Sequence, residues 1–147
     1  MLSPTRFHQI FRASAIYDLS LSVPFAIAPG VALVWWAMDA IGQSLGLAPL
    51  TPLDPHGVMF ANFFGTIVTL WSILRLRLDL PALARWDAAG RMFFSLAMAV
   101  ALANGASPLL WPLLGLEMLW AIAQLLPVTD RPWSDPSSPK RAFAPAS

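Results

Sequence analysis

The sequence predicts an all-α membrane protein, a bundle of four transmembrane helices with both termini in the cytoplasm. Three observations lead to this fold class: the composition, four long apolar stretches and the placement of the basic residues. The chain of 147 residues is 57% hydrophobic and only 12% charged, whereas soluble globular proteins carry about 25% charged residues. One small core cannot enclose so much apolar surface. The composition therefore excludes a soluble enzyme, a disordered chain and a nucleic-acid-binding protein.

The first predicted span covers about residues 14–40. Its centre is a run of 20 uncharged residues between Asp18 and Asp39, and a bilayer core of about 30 Å needs about 20 apolar helical residues. Pro24 and Pro29 each remove a backbone hydrogen bond from a helix that continues through them. We therefore expect this helix to cross the membrane with a kink.

Three further spans complete a predicted transmembrane domain of residues 1–127. Asp54-Pro55 marks a helix start, because Asp caps the first turn and proline fits the first helical position. Segment 104–108, Asn-Gly-Ala-Ser-Pro, separates the last two helices, because Asn and Gly suit a helix end. The predicted spans are 55–78, 82–104 and 108–127. Segment 128–147, rich in Pro and Ser, is predicted to be a flexible cytoplasmic tail.

The basic residues predict the orientation of the chain. All nine Lys and Arg residues fall on one side of the four-span arrangement, and such residues mark the cytoplasmic side of a membrane. The high Ala and Leu content and the preference for Arg over Lys favour a bacterial source, so we expect a bacterial inner membrane. This layout resembles that of small bacterial membrane proteins of the DoxX type. The resemblance is one of layout alone and implies no site residues.

Glu117 is the most prominent candidate site residue. Counted from the outer edge of its span, it lies about 12 Å deep at 1.5 Å per residue, near the middle of the bilayer. An acidic residue at a helix centre costs about 2.5–3.5 kcal/mol on insertion scales. We expect a protonated, neutral Glu117 that donates a hydrogen bond, with Asn62 at similar depth as the acceptor.

Four more residues complete a candidate ligand-binding pocket around Glu117. Thr66 shares a helix face with Asn62, and Gln124 shares one with Glu117, with Trp120 close by. Asp18, on the first span, lies at about the depth of Gln124. A structural alternative applies to several of these residues. Asn62 and Thr66 fit contacts between helices, and Asp18 fits an ion pair with Arg75 or Arg91.

The sequence gives no support for catalytic, metal or cofactor sites. The absence of cysteine excludes disulfides and thiolate metal sites. His8 and His56 are predicted on opposite faces of the membrane, so they cannot ligate one haem iron. Residues 42–46 match the G-x-S-x-G pattern of hydrolases but lack the strand–turn–helix context that this motif needs. We expect no catalytic residues, no metal and no cofactor.

Two classes of function remain. The first is a non-catalytic accessory or structural subunit, in contact with the lipid bilayer and with other membrane subunits or copies of itself. The alternative is a binder or carrier of a lipophilic small molecule, a quinone or a lipid, in the pocket around Glu117. A membrane enzyme that acts on a lipid through Glu117 and Asp18 is a less favoured form of this alternative. The formal net charge of +1 provides no basic excess for a phosphate backbone, so we expect no nucleic-acid partner.

Overall fold

The computed structural model describes residues 1–129, and its elements are all helices. Five α-helices follow one another along the chain: α1 Pro4–Ser22, α2 Ala28–Ser44, α3 Pro55–Leu78, α4 Ala84–Ala103 and α5 Leu110–Leu125. Short 3-10 turns precede α2 and α4, at Val23–Ala26 and Pro81–Leu83. The prediction of an all-α chain is confirmed for this part of the protein. Apart from Val128 and Thr129, the predicted tail lies outside the described residues.

Side-chain caps begin α1 and α3 at the Ser-Pro and Asp-Pro pairs of the sequence. Ser3 Oγ accepts a hydrogen bond from the Arg6 N–H at 3.3 Å, and Asp54 Oδ1 accepts one from the Gly57 N–H at 2.6 Å. These bonds satisfy N–H groups that have no partner within the helix. α3 ends at Asp79, which adopts the left-handed conformation with φ 49° and ψ 42°.

The first predicted span is two helices rather than one kinked helix. α1 and α2 meet at an angle of 109°, and Ile27 between them is extended, with φ −133° and ψ 142°. A helix continuing through both Pro24 and Pro29 would lose two hydrogen bonds and crowd two carbonyls. With the chain broken at Ile27, each proline instead lies in the first turn of its own helical segment, where no N–H is needed.

Two helical segments are long and apolar enough to cross a membrane, namely α3 and Pro81–Ala103. The bent pair of α1 and α2 makes a third candidate if it counts as one span. α5 has only 16 residues, about 24 Å of helix at 1.5 Å per residue, which is shorter than the predicted span 108–127. The described residues therefore support two to three crossings, where the sequence predicts four.

Polar side chains fill much of the interior, and apolar side chains cover the outside. The buried polar and charged residues are Ser14, Asp18, Ser22, Ser72, Arg75, Asp87, Arg91, Ser95 and Gln124. Large apolar side chains are exposed along α3, among them Phe60 and Ile67. This distribution suits a protein in lipid, where polar side chains turn away from the hydrocarbon.

One end of the molecule brings together the N-terminus, the α3–α4 turn and the end of α5. The Leu2 N–H donates to the Pro127 carbonyl at 2.8 Å, and Arg85 Nη1 donates to the Leu125 carbonyl at 2.9 Å. A small apolar core lies at this end, formed by Phe7, Phe11, Ala84 and Val128.

Candidate functional site

A network of five charged side chains from four helices lies inside the protein. Asp18 comes from α1, Arg75 from α3, Asp87 and Arg91 from α4, and Glu117 from α5. Their exposed fractions range from 0% for the Arg75 side chain to 14% for that of Glu117. We call this set the charge network.

Arg75 joins α3 to α1 and α4. Its two terminal nitrogens pair with Asp18 and Asp87, and Nη1 also donates to Ser14 Oγ at 3.3 Å. The guanidinium carbon lies 5.9 Å from the centre of the Phe11 ring, within reach of a cation–π attraction. These contacts stabilise a fully buried charge, whose transfer out of water would otherwise be unfavourable.

Arg91 contacts all three carboxyl groups of the charge network. Its Nη2 donates to Asp18 Oδ2 at 2.5 Å, its Nη1 to Glu117 Oε2 at 2.8 Å and its Nε to Asp87 Oδ2 at 3.1 Å. Asp87 and Arg91 are four residues apart on α4, which places them on one face of the helix. Arg91 therefore links α4 to α1 and α5.

Neutral donors complete the surroundings of Asp87. Gln124 Nε2 donates to Asp87 Oδ2 at 2.7 Å and to Ser14 Oγ at 2.8 Å. Trp71 Nε1 donates to Asp87 Oδ1 at 3.0 Å. Both oxygens of Asp87 thus accept hydrogen bonds, from residues of α3, α4 and α5.

The charge network carries three carboxyl groups and two guanidinium groups. With every group ionised, its net charge is therefore −1. Arginine stays protonated in proteins, so only a proton on one carboxyl group, or a bound cation, can make the network neutral.

The predicted hydrogen bond between Glu117 and Asn62 is not present. Glu117 accepts from Arg91, while Asn62 Nδ2 donates to the Phe25 carbonyl at 2.9 Å. This carbonyl lies at the break between α1 and α2, where Pro29 has removed its helical partner. Gly65 allows the close approach there, because a Cβ atom on it would lie 2.4 Å from the Phe25 carbonyl carbon.

The other predicted pocket residues divide into two groups. Asp18 and Gln124 belong to the charge network and its hydrogen bonds, and the predicted pairing of Asp18 with Arg75 or Arg91 is confirmed for both arginines. Thr66 is exposed on α3 and does not join the network. Trp120 packs instead against Tyr17, with ring centres 5.9 Å apart.

Asp87 is the network member that the sequence reasoning missed. The feature of the sequence that could have identified Asp87 is its position four residues before Arg91, inside the predicted span 82–104. A charged pair at this spacing within an apolar helix indicates a buried ion pair.

Some buried polar atoms have no hydrogen-bond partner within residues 1–129. They are Tyr17 Oη, Arg75 Nε, Ser95 Oγ, Trp120 Nε1 and Gln124 Oε1. Two of them, on Tyr17 and Trp120, belong to the adjacent pair of rings beside the charge network. An open groove of about 380 Å³ borders Trp120, lined by Leu2, Arg6, Gln9, Ile10 and Ala13.

A separate, half-exposed ion cluster ties α1 to the end of α3. Asp79 Oδ1 lies 2.9 Å from His8 Nε2 and 3.1 Å from Arg12 Nη1. The hydrogen bond with His8 and the contact with Arg12 hold the pKa of Asp79 below its usual value. The cluster stabilises the end of the molecule where the N-terminus meets the α3–α4 turn.

No group of three or more metal-ligating side chains suited to a metal ion is found in residues 1–129. The chain matches no family model, no curated protein and no solved structure. The likeness in layout to proteins of the DoxX type thus gains no support. The fold and the site define only a class: a helical protein with two to three candidate membrane spans and an ion-paired interior.

Proposed function

We propose that this chain is a small, non-catalytic structural or accessory subunit of a bacterial inner membrane, crossing it four times with both termini in the cytoplasm. The observation that carries the proposal is that the polar groups of the interior are bonded to one another. Asp18, Glu117, Gln124 and Asn62 all have partners within the chain. A site built for a ligand or substrate would keep such groups available.

The charge network supports a structural role because it joins four helices at once. In a membrane, the hydrophobic effect does not drive helix association, so polar contacts and close packing take its place. Removing one partner of a buried ion pair leaves an uncompensated charge. The network therefore favours one helix arrangement over its alternatives, as a scaffold requires.

The outer surface supports contact with partner helices or lipid. Phe60 on α3 is 65% exposed and Phe93 on α4 is 72% exposed, and each helix presents further apolar side chains beside them. Within a membrane such faces suit either acyl chains or the helices of another subunit.

Native mass spectrometry of the tagged protein, gently extracted from its own membranes, tests this proposal. We expect a stoichiometric protein partner or a homo-oligomer. Phe60→Ala and Phe93→Ala, matched changes on two helices, locate the interface, since the variant within it lowers the yield of the complex and the other does not. A lone monomer that retains a small molecule would contradict the subunit role.

A second candidate function, binding of a quinone or lipid, is favoured by one observation. The groove beside Trp120 is open and largely apolar, and the buried Trp120 Nε1 has no hydrogen-bond partner within residues 1–129. We therefore expect a lipophilic carrier to hold its ligand in the groove beside Trp120 rather than between Glu117 and Asn62. Loss of the retained small molecule in Trp120→Ala would support this function.

A further inference from the structure

The charge balance of the network shows that one further positive charge would make the interior neutral. Three carboxyl groups face two guanidinium groups, and no side chain of the five is more than 14% exposed. Within residues 1–129, the other groups that contact them through hydrogen bonds are Ser14, Trp71 and Gln124, and all three are neutral. A net negative charge inside a protein of low dielectric constant is unfavourable.

The hydrogen bonds show which carboxyl group is least stabilised as an anion. Asp87 accepts from Arg91, Gln124 and Trp71 and also pairs with Arg75. Asp18 pairs with both arginines. Within residues 1–129, Glu117 receives a single donor, Arg91 Nη1 on Oε2. Because donors favour the ionised form of a carboxyl group, Glu117 is the member most readily converted to the neutral acid.

The surroundings of Glu117 also favour the neutral form. From α1, Asp18 shares Arg91 with it, and the buried Tyr17 hydroxyl has no hydrogen-bond partner within the described residues 1–129. From α4, Arg91 is the one cation in contact, and it is also bonded to Asp18 and Asp87. The Glu117 side chain is also the most exposed of the five, at 14%.

We propose that the charge network binds one proton, held on Glu117, and that this proton makes the interior electrically neutral. A proton from water adds to a carboxylate oxygen of Glu117, forming one O–H bond, and the network changes from −1 to 0. The reverse step returns the proton to water. This inference is independent of the subunit role proposed above, because it concerns the interior of the chain whatever its partner is.

Protonation alters one helix contact in particular. A neutral Glu117 attracts Arg91 less strongly, while Arg91 keeps its bonds to Asp18 and Asp87. The contact between α5 and α4 at this point therefore weakens when the proton is bound and strengthens when it leaves.

The sequence offers a single-site probe of this proposal, because Glu117 is the only glutamate in the chain. Cell-free synthesis with glutamate labelled by carbon-13 at the side-chain carboxyl marks this one group in the unsubstituted protein. Infrared and solid-state carbon NMR spectra are then recorded in bilayers at neutral pH. We expect the signature of a protonated carboxyl that shifts with the label, whereas the signature of an ionised carboxylate at neutral pH would overturn the assignment.

Substitutions check the assignment in unlabelled protein. Glu117→Gln, which keeps the shape and a hydrogen-bonding group, is expected to remove the protonated-carboxyl infrared band and to retain the helical circular dichroism of the parent. Asp79→Asn, at the half-exposed cluster, is the matched control and is expected to leave the band unchanged. Persistence of the band in Glu117→Gln, or its loss in Asp79→Asn, would place the proton elsewhere and contradict the proposal.

Discussion

Arg75 and Arg91 differ in how they hold the interior. Arg75 is fully buried and joins the carboxyl groups of α1 and α4, whereas Arg91 contacts three carboxyl groups and adds α5. Arg suits both positions, because its planar guanidinium presents several donors in fixed directions. A lysine at either position would carry the charge but could not reach the same set of acceptors.

The cluster at Asp79 gives a prediction on pH dependence. Its lowered pKa in the folded protein means that it stabilises the fold at pH values above its unfolded pKa of about 4. This contribution is lost as the pH falls through the lowered folded pKa. We therefore expect Asp79→Asn to lower the melting temperature near neutral pH. At strongly acidic pH, where Asp79 is protonated in both states, we expect the substitution to have little effect.

Melting curves of both proteins from neutral pH down to strongly acidic pH provide the measurement. Asn is the suitable replacement because it tolerates the left-handed conformation that Asp79 adopts. A difference between the two proteins that grows as the pH falls would contradict the explanation.

At the scale of the element, the break between α1 and α2 shows where sequence reasoning succeeds and where it stops. α3 covers the predicted residues, because its start depends on a local cap at Asp54. The two prolines predict a disturbance near residue 27, but their chemistry does not set its angle. The angle of 109° depends on distant contacts, the Asn62 hydrogen bond and the close approach at Gly65, which no local pattern contains.

Substitutions at two glycines distinguish the effect of close packing on stability from the effect of helix propensity. At Gly65, a Cβ atom would lie 2.4 Å from the Phe25 carbonyl carbon, so Gly65→Ala must displace the backbone of the break and is expected to destabilise the fold by about 1–3 kcal/mol. Gly90 on α4 has open space around it, and Gly90→Ala is expected to stabilise by about 0.5–1 kcal/mol. Free energies of unfolding in detergent provide the test, and a stabilising Gly65→Ala would contradict this packing.

For the molecule as a whole, the all-helical fold was predictable from the sequence, but the arrangement of the interior was not. Composition and uncharged runs predicted helices and candidate spans, because these depend on length and hydropathy. The pairing of Asp18 with arginine was predicted from depth alone. The role of Asp87 was missed, because a charged residue near a span end fits either a solvated or a buried position until the neighbouring helices are placed.

Single-cysteine labelling tests whether α4 and α5 each cross the membrane, since the parent chain has no cysteine. Leu80 and Thr129 lie at the end of the molecule that holds the N-terminus, the α3–α4 turn and the end of α5, and Ala106 lies in the α4–α5 connection. We expect a membrane-impermeant reagent to label Leu80→Cys and Thr129→Cys from one side and Ala106→Cys from the other. Labelling of Thr129→Cys from the side of Ala106→Cys would show that α5 does not cross.

The most direct test of a scaffold built on the charge network is a double-mutant cycle between Arg75→Met and Asp18→Asn, measured as the free energy of unfolding. Arg75→Met alone is expected to cost about 3–5 kcal/mol, because it leaves buried carboxylates unpaired. We expect a coupling energy of about 1–3 kcal/mol between the two changes. The control pair replaces Arg75→Met with Arg77→Met, an exposed arginine two residues away, and should be additive within about 0.5 kcal/mol. Additivity in both pairs would contradict the account.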